Sequence, residues 1–173
     1  MNHYFDYKSP IGVLTIISDG ESITWLGLKG QKYCADVPEK VSTEISLPVF
    51  AKTKRWLDIY FSGKTPTFTP TLAPQGGSFR QAIWKILCDI PYGEVTTYGE
   101  IAKLIAIQKE KEKMSAQAVG GAVGHNPISI IIPCHRVVGA GGNLTGFASG
   151  IDAKIKLLEV EQLDMSQFYM PKS

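Results

Sequence analysis

The sequence has little of what marks several large classes of protein. Its 173 residues contain three cysteines, at 34, 88 and 134, and three histidines. No two cysteines form a C-x-x-C pair, so neither a zinc-ligand spacing nor a disulfide framework is present, and free thiols are expected. No stretch approaches the ~18 consecutive apolar residues of a membrane span. The first residues do not follow the basic, apolar, small order of a secretory signal, so a cytoplasmic protein away from the membrane is expected. Charge of one sign is also scarce: 18 Lys+Arg against 16 Asp+Glu leave a net +2, too little to announce a nucleic-acid partner by itself. What is present, 44% hydrophobic and 20% charged residues, is the composition of an ordinary globular chain and excludes disorder and fibrous repeats.

The first 70 residues read as a small α/β unit. Tyr4 to Ser18 and Ile23 to Leu28 are β-rich runs broken by Ser9-Pro10, Ile11-Gly12 and Asp19-Gly20, the last suited to a turn between paired strands. Phe50, Trp56, Leu57, Tyr60 and Phe61 then recur at helical spacing until Ser62-Gly63. Residues 65–77 hold three prolines and two glycines without periodicity and are expected to be a linker. The boundary therefore separates a support domain, 1–70, from a second domain, 78–166.

That second domain is helical in pattern. Phe79, Ile83, Ile86, Leu87 and Ile90 trace one helix face up to Pro91-Tyr92-Gly93. Thr97 and Glu100 have capping-box spacing ahead of an inward stripe of Ile101, Leu104 and Ile105. Ser115 can cap a third helix of small residues, Ala116 to Gly124, and two short helices joined by a turn suggest a helix-turn-helix. Ile128 to Ile132 is a β-branched run, expected to be a buried strand or an extended segment beneath a site. Asp152 is expected to cap a last helix that buries Ile155, Leu157 and Leu158.

Chemistry concentrates at Pro133-Cys134-His135-Arg136. A thiol is only slightly ionised at neutral pH, and an imidazole beside it can act as its base. That imidazole needs an acceptor to hold its tautomer. Glu161, one turn beyond Leu157, is a candidate, giving a Cys134–His135–Glu161 relay. Adjacent residues on an extended chain point apart, so the pair needs a turn or a bridging water to cooperate. Taken alone, a Cys-His pair is more often structural than catalytic, and Cys34 and Cys88 read as packing residues.

Ile132 to Val138 (IPCHRVV), preceded by His125-Asn-Pro-Ile128 and by Ala118-Val-Gly-Gly121, resembles the active-site signature of the O6-alkylguanine-DNA alkyltransferases, the methylated-DNA–protein-cysteine methyltransferase family. The likeness extends to Phe79-Arg-Gln-Ala-Ile-Trp84, Ile90-Pro-Tyr-Gly93, Thr97-Tyr98, Asn143-Leu-Thr-Gly146 and Leu157-Leu-Glu-Val-Glu161. It implies an α+β protein, with a small ribonuclease H-like N-terminal domain followed by a C-terminal helical domain carrying a winged helix-turn-helix. It also implies repair of O6-alkylguanine, and of O4-methylthymine, by irreversible transfer of the alkyl group to Cys134 after base flipping. By the same resemblance His135 draws the thiol proton through a water, Glu161 orients the imidazole, Asn126 braces the turn, and Tyr98 donates to the departing base. Pro133 and Val137 line the base site, Thr145 and Gly146 belong to a loop closing over O6, and Ala116, Gln117, Gly120, Gly121 and Arg136 contact DNA. The implied partner is double-stranded DNA bearing alkylated bases, bound by a monomer, with neither cofactor nor metal.

Three departures from the family pattern stand out. Gln117 occupies a position that is arginine in many members, lacking the charge and stacking plane of a guanidinium. The connection 107–114 is longer than usual, and Leu144 and Phe147 differ from the usual residues near the pocket mouth. Charge is unevenly spread: residues 103–136 hold five basic and two acidic residues, a local +3. A cysteine hydrolase using the same three residue types, and a DNA-binding sensor without chemistry, are the competing classes. The first predicts ester cleavage, and the second would lack an acceptor cysteine.

Overall fold

Two tight turns fold the N-terminal β-rich run onto itself. The computed structural model describes residues 3–29, 47–111, 114–144 and 150–170. In it β1 (His3–Ser9), β2 (Gly12–Ser18) and β3 (Ile23–Leu28) form an antiparallel sheet in that order. Gly12 leaves the first turn at φ 124, a conformation that side chains other than hydrogen rarely adopt. Asp19 closes the second by accepting from the backbone N–H groups of Glu21 and Ser22, both at 2.9 Å. Helix α1 (Pro48–Phe61) starts on a proline, whose missing N–H is no loss in a first turn. It buries Phe50, Leu57 and Tyr60 with Phe5, Leu14 and Ile16 of the sheet, and the rings of Phe5 and Phe50 meet edge to face at 4.7 Å.

The expected linker is bound along part of its length. Ile23 donates to the Thr71 carbonyl and accepts from Ala73 N–H, both at 2.8 Å, pairing Leu72 with the edge of β3. Three prolines keep residues 65–77 from forming a ladder, yet one bridge is enough to cover part of an edge that would otherwise present unpaired groups.

Helices α2 (Ser78–Cys88), α3 (Tyr98–Gln108) and α4 (Ala116–Gly124) follow, and α3 and α4 start where the capping residues placed them. Thr97 Oγ1 accepts from Glu100 N–H at 3.1 Å, and Ser115 Oγ accepts from Gln117 and Ala118 N–H at 3.1 and 3.3 Å. Trp84 Nε1 donates to the Ala122 carbonyl at 2.9 Å, joining α2 to α4. The inward stripe of α3 is Ile101, Ala102, Ile105 and Ala106, whereas Leu104 is 48% exposed. A short parallel pair, β4 (Thr96–Thr97) with β5 (Val137–Val138), links the start of α3 to the signature segment. Helix α5 (Ile151–Val160) opens from Gly150 at φ 98, with Asp152 in its first turn rather than at the cap.

The run Ile128 to Ile132 is neither a strand nor extended. Only Ile128 pairs, with Leu26 of β3, and the chain then turns twice. Ile131 N–H donates to Ser129 O at 2.8 Å across Ile130, which has φ 73, and Cys134 N–H donates to Ile132 O at 2.8 Å across Pro133. These are γ-turn closures, and a β-branched residue at positive φ is strained. All five residues from Ile128 to Ile132 are buried, and that packing holds the turn in place.

One contiguous apolar cluster runs from Phe5, Leu26 and Leu57 through Ile83, Trp84, Ile101 and Val119 to Cys134 and Leu157. The two domains should therefore unfold together. Leu57→Ala is expected to cost about 2–5 kcal/mol and to speed amide exchange in α2 to α4 as much as in β1 to β3. Unchanged protection in α2 to α4 would show the domains to be separately stable.

Candidate active site

Cys134 opens a 3-10 turn, Cys134–Arg136, at the end of the strained segment. That segment hangs from the sheet: Leu26 N–H donates to Pro127 O and Ser129 N–H to Leu26 O, both at 2.9 Å. Asn126 closes the turn from within, its Nδ2 donating to Ile132 O at 2.8 Å and its Oδ1 accepting from Ile128 N–H at 3.0 Å. Pro133 is buried, and its backbone, φ −82 and ψ 66, delivers the turn into Cys134. The thiol is 6% exposed. Burial pushes its pKa up, while hydrogen bonding from Asn126 and Ser129 and the charge of Lys154 pull the other way.

His135 and Glu161 meet as expected. His135 Nε2 is 2.5 Å from Glu161 Oε2, and both side chains are fully buried. Glu161 collects three further donors: Tyr60 Oη at 2.7 Å on Oε2, Arg136 Nε at 2.8 Å and Gly93 N–H at 2.9 Å on Oε1. Burial would raise this carboxyl, but the hydrogen bond and charge of His135, with Arg136, outweigh it and hold it at about 2. An ionised carboxylate only accepts, so Nε2 carries the ring hydrogen and Nδ1 of the neutral imidazole is an acceptor. Nδ1 is buried with no hydrogen-bond partner among the described residues. Burial lowers the imidazole pKa, which favours the neutral ring.

Tyr98, first residue of α3, is half-buried, and its phenol is pushed up to about 12, chiefly by burial and further by the charge of Cys134. It remains a donor at neutral pH. A Cβ on Gly120 would sit 3.9 Å from the Tyr98 ring, while Gly121 faces open space. Ala116, Gln117 and Gly121 are exposed on α4, whereas Val119, Ala122 and Val123 face inward. Val137 is buried, and its carbonyl accepts from Lys154 Nζ at 2.6 Å.

Arg136 corrects an expectation. Rather than facing DNA it is 8% exposed, with Nε on Glu161 and Nη1 on Ile90 O at 2.7 Å. A buried carboxylate needs a paired cation, and this guanidinium is the one the turn carries to it. Thr145 and Gly146 lie outside the described residues, as does Cys34; Cys88 is exposed at the end of α2 rather than packed. No cluster of three or more potential metal ligands occurs among the described residues.

Tyr60 and Lys154 complete the site without having been singled out by the sequence reading. Tyr60 lies on the apolar face of α1 among Phe50, Trp56 and Leu57 and reads as core. Lys154 left a signal: residues 154, 157, 158 and 161 form one helical stripe, Lys-Leu-Leu-Glu, whose two ends are charged on an otherwise buried face. The lysine pKa falls to about 8, burial being the cause.

Comparison with known proteins points to the same family over most of the chain. Residues 78–163 match the DNA binding domain of the 6-O-methylguanine DNA methyltransferases, and residues 2–74 match their ribonuclease-like domain. A methylated-DNA–protein-cysteine methyltransferase of Haemophilus influenzae is 46% identical over 162 residues, 93% of this chain and 87% of the relative. The crystal structure of the Mycobacterium tuberculosis O6-methylguanine methyltransferase superposes with TM-score 0.81 at 42% identity, covering 94% of this chain and 93% of the other. A structure of the M. tuberculosis protein in complex with DNA gives TM-score 0.79 at 41% identity, covering 96% and 94%. Both halves of the chain match in order, and the protein belongs to the 6-O-methylguanine DNA methyltransferase family.

Proposed function

We propose that Cys134 is the residue that takes the alkyl group when this protein repairs O6-alkylguanine in DNA. The observation that carries the reading is the polarity of the relay. Glu161 fixes the His135 hydrogen on Nε2, leaving Nδ1 as a buried acceptor in the residue next to a buried thiol. The thiol proton passes to Nδ1 across a bridging water, the sulfur attacks the alkyl carbon in line, and the carbon–O6 bond breaks with its electron pair on the base. Tyr98, protonated throughout the neutral range, donates to the departing guanine.

A thioether is a poor electrophile, because displacing a thiolate from an unactivated alkyl carbon is difficult even for the neighbouring Lys154 and Ser129, so the alkyl group stays on Cys134. The protein then acts once per chain, and the step as written needs neither cofactor nor metal. A thiol this deeply buried cannot reach a base inside a duplex, so the alkylated nucleotide is flipped out. The exposed Ala116, Gln117 and Gly121 of α4, with the partly buried Gly120 beside them, allow a close approach to the sugar-phosphate walls. We read residues 1–70 as the supporting domain and 78–166 as the DNA-binding and acceptor domain, with Pro133, Val137, Thr145 and Gly146 around the base. The chain holds the whole relay by itself, which favours a monomer, and a reaction that depends on a free thiol favours the reducing cytoplasm.

Incubation with duplex DNA containing O6-methylguanine should add one methyl group per chain, located by mass spectrometry on the peptide holding Cys134. Cys134→Ala should abolish transfer and leave DNA binding intact. Multiple turnovers or a methyl group elsewhere would sink the reading. Gln117→Arg restores charge and a stacking plane at the flipped-base gap and should tighten binding to alkylated duplex severalfold, on the order of one added charge-assisted contact. Equal dissociation constants for the two proteins would show that residue 117 does not enter the gap.

A further inference from the structure

We propose that Tyr60, from helix α1 of the N-terminal domain, is a positioning residue of the relay: by donating to Glu161 Oε2 beside His135 it sets the pH at which His135 can accept the thiol proton. This inference rests on Cys134 being the acceptor and gives the N-terminal domain a part in the chemistry.

The geometry leaves the phenol one assignment. Its oxygen lies 2.7 Å from Glu161 Oε2, 3.2 Å from His135 Nε2 and 3.4 Å from Leu157 O. Nε2 already aims its hydrogen at the same Oε2, so it offers no lone pair, and the carboxylate is the nearest and most basic acceptor. Tyr60 is fully buried, stacked on Trp56 at 5.3 Å and met edge-on by Phe61 at 5.2 Å and Tyr92 at 6.1 Å. Burial and the Glu161 charge push its ionisation far above the ordinary tyrosine range, so it donates at every working pH.

Two donors share Oε2, and each weakens the hold of the other. The remaining groups that face the pair are Arg136 and Gly93 N–H on Oε1, Lys154 of α5, Cys134, and Tyr92, whose hydroxyl donates to Val160 O at 3.1 Å. All of these lie in the C-terminal half, and among the described residues Tyr60 is the one contributor from the other domain. Removing its hydroxyl leaves His135 as the sole donor to Oε2. The carboxylate then holds an imidazolium more tightly, so the charged ring persists to higher pH and the thiol proton loses its acceptor over a wider acid range.

The test compares full-length wild type, Tyr60→Phe, and protein with a ring-fluorinated tyrosine at position 60. Single-turnover methyl transfer from O6-methylguanine duplex is followed from about pH 5 to about pH 9. In Tyr60→Phe the acid limb should move up by about one pH unit, slowing transfer roughly tenfold on that limb and by less near neutrality. The rate at alkaline pH, the final one methyl per chain and the affinity for DNA should stay at wild-type values. The fluorinated phenol, a stronger donor, should move the limb down. Coincident limbs in all three proteins would overturn the proposal and leave Tyr60 a packing residue. If Tyr60→Phe does not fold, the fluorinated protein decides alone, an unmoved limb overturning the proposal. Absence of transfer by the wild type would instead overturn Cys134 as acceptor, a separate outcome.

Discussion

The structure depends on one buried carboxylate. Glu161 sits at the C-terminal end of α5 at 3% exposure, where an unpaired charge would be prohibitively costly. It is tolerated because each of its two oxygens receives two donors, and those donors come from α1, the turn before β4, and the 3-10 turn that bears Cys134. Removing one partner from such a pair generally costs about 3–5 kcal/mol, since the remaining charge stays buried. The same bonds that satisfy the carboxylate join the two domains and fix the tautomer of His135. Stability and chemistry therefore share their contacts.

A second constraint follows from the position of the acceptor. A nucleophile that must work beside the next residue in the chain cannot lie on an extended strand, where neighbours point apart. The chain solves this with consecutive tight turns, one of which places Ile130 at φ 73. Such a conformation persists only where the surroundings over-determine it. Here the surroundings are the bridge from Leu26, the two hydrogen bonds of Asn126, and the burial of the whole segment. The edge of β3 thus serves as the fixed rail from which the acceptor turn is suspended, a mechanical role for the N-terminal sheet beside the chemical role inferred for Tyr60.

Where the information is local, the sequence was readable. Thr97 and Ser115 announce helix starts because capping chemistry is short-range, and Asp19-Gly20 announces a turn for the same reason. The Cys134–His135–Glu161 set was legible because two members adjoin and the third follows from helical spacing, and the family resemblance named the same residues. What failed was non-local. The resemblance places Arg136 among the DNA contacts, but whether a cation faces out depends on a buried anion 25 residues away. Ile128 to Ile132 has the composition of a strand, yet among the described residues it pairs only at Ile128, with Leu26, and the hydrogen bonds of Asn126 hold it in a turn. Tyr60 was unreadable because its apolar neighbours hide a hydroxyl whose acceptor is 101 residues downstream.

The inward turn of Arg136 also changes how the DNA face must work. Of the five basic residues counted between 103 and 136, Arg136 is spent on Glu161, which lowers the local excess from +3 to +2. Long-range attraction from so small an excess is weak and is screened within a Debye length of about 8 Å at physiological salt. With α4 docked on DNA as proposed, specific binding draws on short-range contact: the exposed first turn of α4, the open space at Gly121, and the neutral amide of Gln117. A neutral residue in the proposed gap position would stack less well and pair only through directed hydrogen bonds, which reward an orphaned base of matching pattern rather than any phosphate nearby. Recognition by this protein should accordingly be less sensitive to salt and more sensitive to the base opposite the lesion than in relatives with arginine at this position.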